Sequence, residues 1–260
     1  ILGCPPQIPQ FLSQHTPRAP NMNEGLLRIP RKGRPGDYIC KSAMQRHLQR
    51  LGLKANVPVV VYTGSGVFSG WGNGLEQTMV AYSLARFGHD NVYILDGGLE
   101  RWKEKGLPLS QVFPDAAESR MKAKVRSSYY VTYDKFREMK DDDGVILLDA
   151  RPPAVYEGQG PWIKPGHIPG AVNLPWKSLM DKNNPRFLLP DEEMKEILKS
   201  KGVTPDKTVI CSCGTGREAT AEFTLLKFYF GFPKVKIYEG SFTEWSSYPD
   251  NPTVTGPNPR

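Results

Sequence analysis

The chain of 260 residues has room for two domains, and its 39% hydrophobic and 10% aromatic content suits a folded protein facing water. Its formal charge of +7 is spread rather than gathered into blocks, which argues against nucleic acid as a partner and equally suits a solvated surface or small anionic substrates. No apolar run approaches the length of a membrane-spanning helix. Four cysteines (Cys4, Cys40, Cys211, Cys213) are too few for a disulfide framework, and Cys211-x-Cys213 lacks the second pair of a structural zinc site, so no metal is expected.

Taken in order, the chain opens on Ile1-Leu2-Gly3-Cys4, a faint match to a lipoprotein cleavage site and the weaker reading of that segment. Gln14–Asn21 reads His15-Thr16-Pro17-Arg18-Ala19. Met44 and Leu48 then lie one helical turn apart before Gly52, and Val59-Val60-Val61 is a β-branched strand running into Thr63-Gly64-Ser65-Gly66. Phe87-Gly88, Val92, Ile94, Gly97 and Trp102 follow. The same succession returns later: Gly166–Asn173 with His167, then Met194, Leu198 and Gly202 before the strand Val209–Cys211 and its loop. Phe230-Gly231, Val235, Ile237, Gly240 and Trp245 complete the second copy, while the first copy carries about seven extra residues around Ser69–Gly74. We therefore expect two copies of one domain, 1–112 and 128–260, joined by an exposed, apolar-poor linker at 113–127.

Within the second copy, Val145–Leu148 is a buried strand, Glu192–Lys201 an amphipathic helix, and Ala219–Phe230 a largely buried helix stopped by Gly231. Alternation of strands and helices predicts the α/β class, a parallel sheet flanked by helices in each copy. Asp149 precedes His167 by eighteen residues, and the same count before His15 runs off the chain. The first copy is thus expected to lack its opening strand and the sequence to begin inside a longer precursor. Compartment stays open on this reading, with bacterial cytoplasm and periplasm both possible.

The strand Val209–Cys211 delivers the chain into Cys213-Gly214-Thr215-Gly216-Arg217-Glu218, and a helix starts near Ala219. A short loop from a strand end to a helix start turns successive amides toward one point, which makes an anion-binding bowl. Gly214 and Gly216 permit the backbone angles such a bowl needs, and a thiol held in it is expected to ionise more readily. Cys213 is the candidate nucleophile. Gly214, Thr215, Gly216, Arg217 and Glu218 are the candidate substrate-binding residues.

Several motifs carry a family resemblance: Asp149-Ala150-Arg151-Pro152, Tyr156-Glu157-Gly158, Gly166-His167-Ile168-Pro169-Gly170-Ala171, the cysteine loop, and Tyr238-Glu239-Gly240-Ser241 before Trp245. In this order they resemble the rhodanese domain. The whole chain resembles the tandem thiosulfate and 3-mercaptopyruvate sulfurtransferases, in which only the second domain keeps the cysteine; Thr63 stands at the matching place in the first copy. The resemblance implies a Cys213 persulfide, formed from a small anionic sulfur donor and discharged to a thiol, cyanide or a protein, with no metal or organic cofactor. Donor choice does not transfer cleanly. Val155 stands where mercaptopyruvate enzymes place a carboxylate-binding arginine, and Gly214-Thr215 stand where animal thiosulfate enzymes have basic residues. Arg217 tips the expectation toward thiosulfate.

Asp149, Arg151 and His167 are expected to support the wall of the site rather than react. His15 is the non-catalytic counterpart of His167, Trp102 and Trp245 are packing anchors, and Thr63 has no visible activating partner. Cys211 reads as a core residue, with a resolving thiol as the lesser alternative. A cysteine phosphatase needs an arginine six positions after the cysteine, where Ala219 stands. The remaining rivals are a sulfur-carrier or regulatory module and a mercaptopyruvate sulfurtransferase.

Overall fold

The computed structural model describes residues 1–5, 8–31, 34–66 and 72–260, with Arg34 and Pro35 described in backbone only. Contacts divide the chain into a first unit of Ile1–Ile29, Tyr38–Arg126 and Met180–Leu188, and a second of Pro30–Asp37, Ser127–Leu179 and Leu189–Arg260.

The early elements are β1 (Leu2–Gly3), α1 (Ile8–Ser13), the two-stranded sheet of β2 (Arg28–Arg31) and β3 (Arg34–Tyr38), α2 (Lys41–Arg50), β4 (Val59–Tyr62), α3 (Leu75–Arg86), β5 (Val92–Ile94) and α4 (Gly98–Glu104). In the first unit β1, β4 and β5 form a parallel sheet in that order. Met44 and Leu48, on one face of α2, have no exposed surface, as their spacing requires. Every residue of α3 is buried.

The second unit adds β6 (Tyr130–Val131), α5 (Tyr133–Met139), β7 (Val145–Asp149), α6 (Pro153–Glu157), β8 (Val172–Asn173), α7 (Asp191–Ser200), β9 (Thr208–Ser212), α8 (Ala219–Thr224), β10 (Val235–Tyr238) and α9 (Ser241–Ser247). Its five strands are parallel in the order β6-β10-β9-β7-β8. Three acidic residues, Asp191, Glu192 and Glu193, open α7 and Lys199 lies in its last turn, an arrangement that favours the helix dipole. Under the sheet, Phe136 stacks on Tyr238 at 4.1 Å and meets the edge of Trp245. Each such buried side chain contributes roughly 1.5–3 kcal/mol by leaving water.

Three expectations change here. The opening strand of the first copy is represented by β1. Leu2 pairs with Val61, and Gly3 with Tyr62 and Asn21, as Leu148 and Asp149 of β7 pair with β9 and β8. The residue count missed it because the first copy reaches its histidine in twelve residues from Gly3 rather than eighteen. The segment 120–126 is not a free linker: Met121 and Ala123 are buried, and Lys124 and Arg126 donate backbone bonds to Phe87 and Arg86. The long helix after the cysteine loop ends in a π-helical turn, Leu225–Tyr229, which leaves Phe228 and Tyr229 exposed. Of the extra segment in the first copy, residues 69–71 lie outside the described residues.

Candidate active site

Cys213 follows β9, whose neighbours in the sheet are β10 on one side and β7 on the other. The connections after β7 and β9 lead in opposite directions along the sheet, to β8 and to β10. That gap between diverging loops, at the carboxyl ends of parallel strands, is where open α/β sheets bind ligands. Three strand ends therefore build the surroundings of one sulfur.

The loop supplies the first contacts. The Gly216 amide donates to Cys213 Sγ at 3.0 Å, and the amides of Thr215 and Ala219 also favour negative charge there. Gly216 has φ +82°, and a β-carbon on it would stand 2.8 Å from the Glu239 carbonyl oxygen, so only glycine presents this amide without strain. From the β10 side, Ser241 Oγ accepts the Cys213 amide at 3.2 Å and donates to the Tyr238 carbonyl at 2.8 Å. Ser241 is held at φ +49°, a conformation costly for a residue with a side chain. The amides of Phe242 and Thr243 donate to the carbonyls of Cys213 and Gly214.

From the β7 side, Asp149 and Arg151 form an ion pair at 2.6 Å in which both side chains are 1% exposed. Arg151 Nε and Nη2 both reach the Asp149 carboxylate, and Nη2 also donates to the Gly166 carbonyl at 2.9 Å. The guanidinium lies 4.3 Å from the Phe242 ring centre and 5.1 Å from that of Trp162. Trp162 Nε1 donates to Thr243 Oγ1 at 3.0 Å, which in turn donates to the Gly214 carbonyl at 2.8 Å.

Cys213 has no exposed surface. Burial pushes its thiol well above the ordinary range, and the Glu218 carboxylate, which accepts a hydrogen bond from the thiol, pushes the same way. The loop amides oppose this without prevailing. The expected easy ionisation is corrected on that ground: the bowl is present, but desolvation and a carboxylate outweigh it.

Cys213, Gly214, Thr215, Gly216 and Glu218 of the loop and the Asp149–Arg151 pair are thus brought together, while the Arg217 carbonyl accepts from Thr220 at the start of α8. His167 is not. Its ring nitrogens lie against the carbonyls of Tyr156 and Asn258, and its ring stacks on Tyr156 at 3.6 Å. His15 repeats this in the first unit, against Phe11 and Val112 carbonyls and stacked on Phe11. Trp102 and Trp245 each donate to a proline carbonyl, at 2.9 and 2.8 Å. Thr63 is fully buried, its hydroxyl oxygen has no hydrogen-bond partner, and its amide is spent on Gln77. Ser65, two places on, gives its amide to Glu100 at 2.8 Å. Cys211 is sealed in β9 beside Glu222, and burial raises both groups well above their ordinary ranges.

Sequence reasoning missed Trp162, Thr243 and Phe242, and left Ser241 as part of a motif without a role. Trp162 sits in an irregular stretch where periodicity carries no signal. Among the described residues, no cluster of three or more His, Cys, Asp or Glu is arranged to hold a metal, and no helix is long and apolar enough to cross a membrane.

The model of the rhodanese-like domain matches this chain twice, over residues 8–105 and 132–248. A Synechococcus elongatus protein provisionally named a thiosulfate sulfurtransferase is 37% identical over 95% of this chain and 77% of its own length. The human 3-mercaptopyruvate sulfurtransferase is 31% identical over 81% of this chain and 70% of its own, and the sulfur carrier protein TtuD of Thermus thermophilus is 27% identical over 85% and 79%. The solved structure of the anaerobic ergothioneine biosynthesis enzyme of Chlorobium limicola superposes with a TM-score of 0.84 at 23% identity, a likeness of fold. It covers 98% of this chain, which spans 64% of that one.

Proposed function

The chain belongs to the rhodanese-like domain family, with two tandem copies of the domain, and from that premise we propose that it is a sulfurtransferase working through a persulfide on Cys213. One observation carries the assignment to this residue: the Gly216 amide on the Cys213 sulfur, in a loop between a parallel strand and a helix. The same position in the first copy holds Thr63.

The chemistry needs no outside oxidant. The Cys213 thiol gives its proton to the Glu218 carboxylate that already accepts its hydrogen bond. The thiolate attacks the outer sulfur of a sulfane donor, forming a new S–S bond. The donor's own S–S bond breaks and its electron pair leaves with the remainder, sulfite when the donor is thiosulfate. A thiol, cyanide or protein acceptor then attacks the outer sulfur, and Cys213 departs as the thiolate. The Gly216 amide favours the anionic sulfur at each stage. Glu218 is better cast as proton acceptor than as substrate ligand, because a carboxylate repels an anionic donor. Thiosulfate is the donor we favour, after the basic Arg217 of the loop and the name of the Synechococcus relative.

A second reading is a sulfur carrier that takes its persulfide from a partner protein. It is favoured by the absence of any exposed surface on Cys213 and by the likeness to a named carrier. Thiosulfate:cyanide turnover by the purified chain, with mass spectrometry of the Cys213 peptide, separates the two. The enzyme reading expects turnover and one added sulfur on Cys213 after thiosulfate alone, both lost in Cys213→Ser. A Cys213→Ser chain with full turnover would discard the nucleophile. A wild type without turnover that gains sulfur only from a partner would favour the carrier.

A further inference from the structure

A nucleophile with no exposed surface must be uncovered before any donor reaches it. Beside the loop, the depression lined by Thr215, Glu239, Gly240 and Glu244 among others offers about 10 Å³ and an acidic rim, which suits a sulfur oxyanion in neither size nor charge. Trp162 stands against the same loop. Its Cζ2 and Cη2 lie 2.9 Å from where a β-carbon on Gly214 would be, so the indole rests on the backbone next to Cys213 in a space that only glycine leaves open.

Behind the indole is an unspent donor. Of the three guanidinium nitrogens of Arg151, Nε and Nη2 are bonded, whereas Nη1 is buried without a hydrogen-bond partner. An orphaned buried donor costs roughly 1–3 kcal/mol, and more on a charged group. Here the faces of Trp162 and Phe242 offset part of that cost through cation–π contact. Trp162 also borders solvent. It is half-buried, its neighbour Ile163 is fully exposed, and its segment runs between Gly158 at φ +129° and Gly166 at φ +97°. The Lys164 ammonium ties that segment to the carbonyls of Tyr248, Pro249 and Asn251.

We propose that Trp162 is a displaceable lid over a concealed oxyanion subsite, in which Arg151 Nη1 receives the oxygen end of a sulfane donor whose outer sulfur meets Cys213. The inference rests on Cys213 as the sulfur-accepting nucleophile. Asp149 already balances the charge of Arg151, so the subsite offers a directed hydrogen bond rather than surplus charge. It selects small oxyanions that fit where the indole stood. Moving Trp162 exposes sulfur and donor together, which couples access to recognition.

Alkylation of Cys213 by neutral iodoacetamide, read by peptide mass spectrometry on the full chain, tests this without turnover. Trp162→Ala is expected to raise the rate at least tenfold over wild type. Sulfate, as the probe, is expected to slow alkylation of Trp162→Ala and to lose that effect in Trp162→Ala/Arg151→Lys. Equal rates in wild type and Trp162→Ala overturn the lid; equal sulfate protection with and without Arg151 overturns the subsite. Cys211, sealed in the sheet, reports unfolding in the same digests. If it labels, Trp162→Phe, which lacks the bond to Thr243, must raise the Cys213 rate with Cys211 silent, and failure there overturns the proposal. A wild type without thiosulfate turnover whose Trp162→Ala variant still opens Cys213 refutes only the catalytic reading.

Discussion

Replacing Gly216 by alanine tests the loop geometry most directly. The residue sits at φ +82°, where an alanine costs about 1–2 kcal/mol of backbone strain, and its new methyl would stand 2.8 Å from the Glu239 carbonyl oxygen. That oxygen belongs to the backbone rather than to the tip of a flexible side chain, so the backbone must shift. That shift moves the amide now 3.0 Å from Cys213 Sγ. A hydrogen bond to an ionised sulfur contributes about 1.5–3 kcal/mol, and each 1.4 kcal/mol is tenfold in rate, so kcat/KM for thiosulfate should fall roughly ten- to a hundredfold. Gly231→Ala supplies the control. Gly231 has φ +70° and nothing within 4 Å of a built β-carbon, so it carries the strain without the collision and lies outside the site. Both variants should melt lower, and only Gly216→Ala should lose kcat/KM. A Gly216→Ala enzyme within twofold of wild type, or an equal loss in Gly231→Ala, would refute the reasoning.

Glu218→Gln removes the carboxylate that helps to raise the Cys213 thiol, so iodoacetamide should alkylate Cys213 severalfold faster at neutral pH, while thiosulfate turnover, deprived of a local proton acceptor, should not rise with it; a parallel rise in both contradicts the acceptor role. Glu222 is buried, and burial lifts its carboxyl above the ordinary 4.5, so the folded state holds the proton more tightly than the unfolded chain. Stability from this group is full below that ordinary value and declines as pH rises toward the folded one. Glu222→Gln should therefore gain little in Tm at pH 5 and a few degrees at pH 8, at about 2–4 °C per kcal/mol, and a gain independent of pH would count against the assignment. Asp149→Ala leaves the buried Arg151 guanidinium without its counter-charge and should cost about 3–5 kcal/mol in denaturant unfolding; a loss under 1 kcal/mol would mean that the pair is not buried in solution.

Much of this architecture is written in local pattern. Val209 and Ile210, then two glycines, then an apolar helix place Cys213 without any long-range knowledge, and the repeat of Met44/Leu48 in Met194/Leu198 marks two copies of one helix. What escaped depends on partners distant in sequence. Leu2–Gly3 is too short for a periodic signal and is recognised as a strand only through its pairing with Val61 and Tyr62. Met121 and Ala123 lie among charged neighbours that hide their burial. Trp162 rests on Gly214 from 52 positions away, and nothing in Gly160-Pro161-Trp162-Ile163 announces that contact. The raised thiol followed the same logic: loop amides are legible from glycine spacing, whereas desolvation is a property of the folded surroundings.

In the first copy the loop after β4 is occupied by the protein's own acceptors. Its amides at positions 63 and 65 are already answered from within, by an amide oxygen of Gln77 and a carboxylate of Glu100. A thiol installed at Thr63 would find both of those amides taken, with Glu100 in turn paired to Arg186 at 3.0 Å. The same corner after a parallel strand thus turns an amide to a sulfur in one copy and to side-chain oxygens in the other.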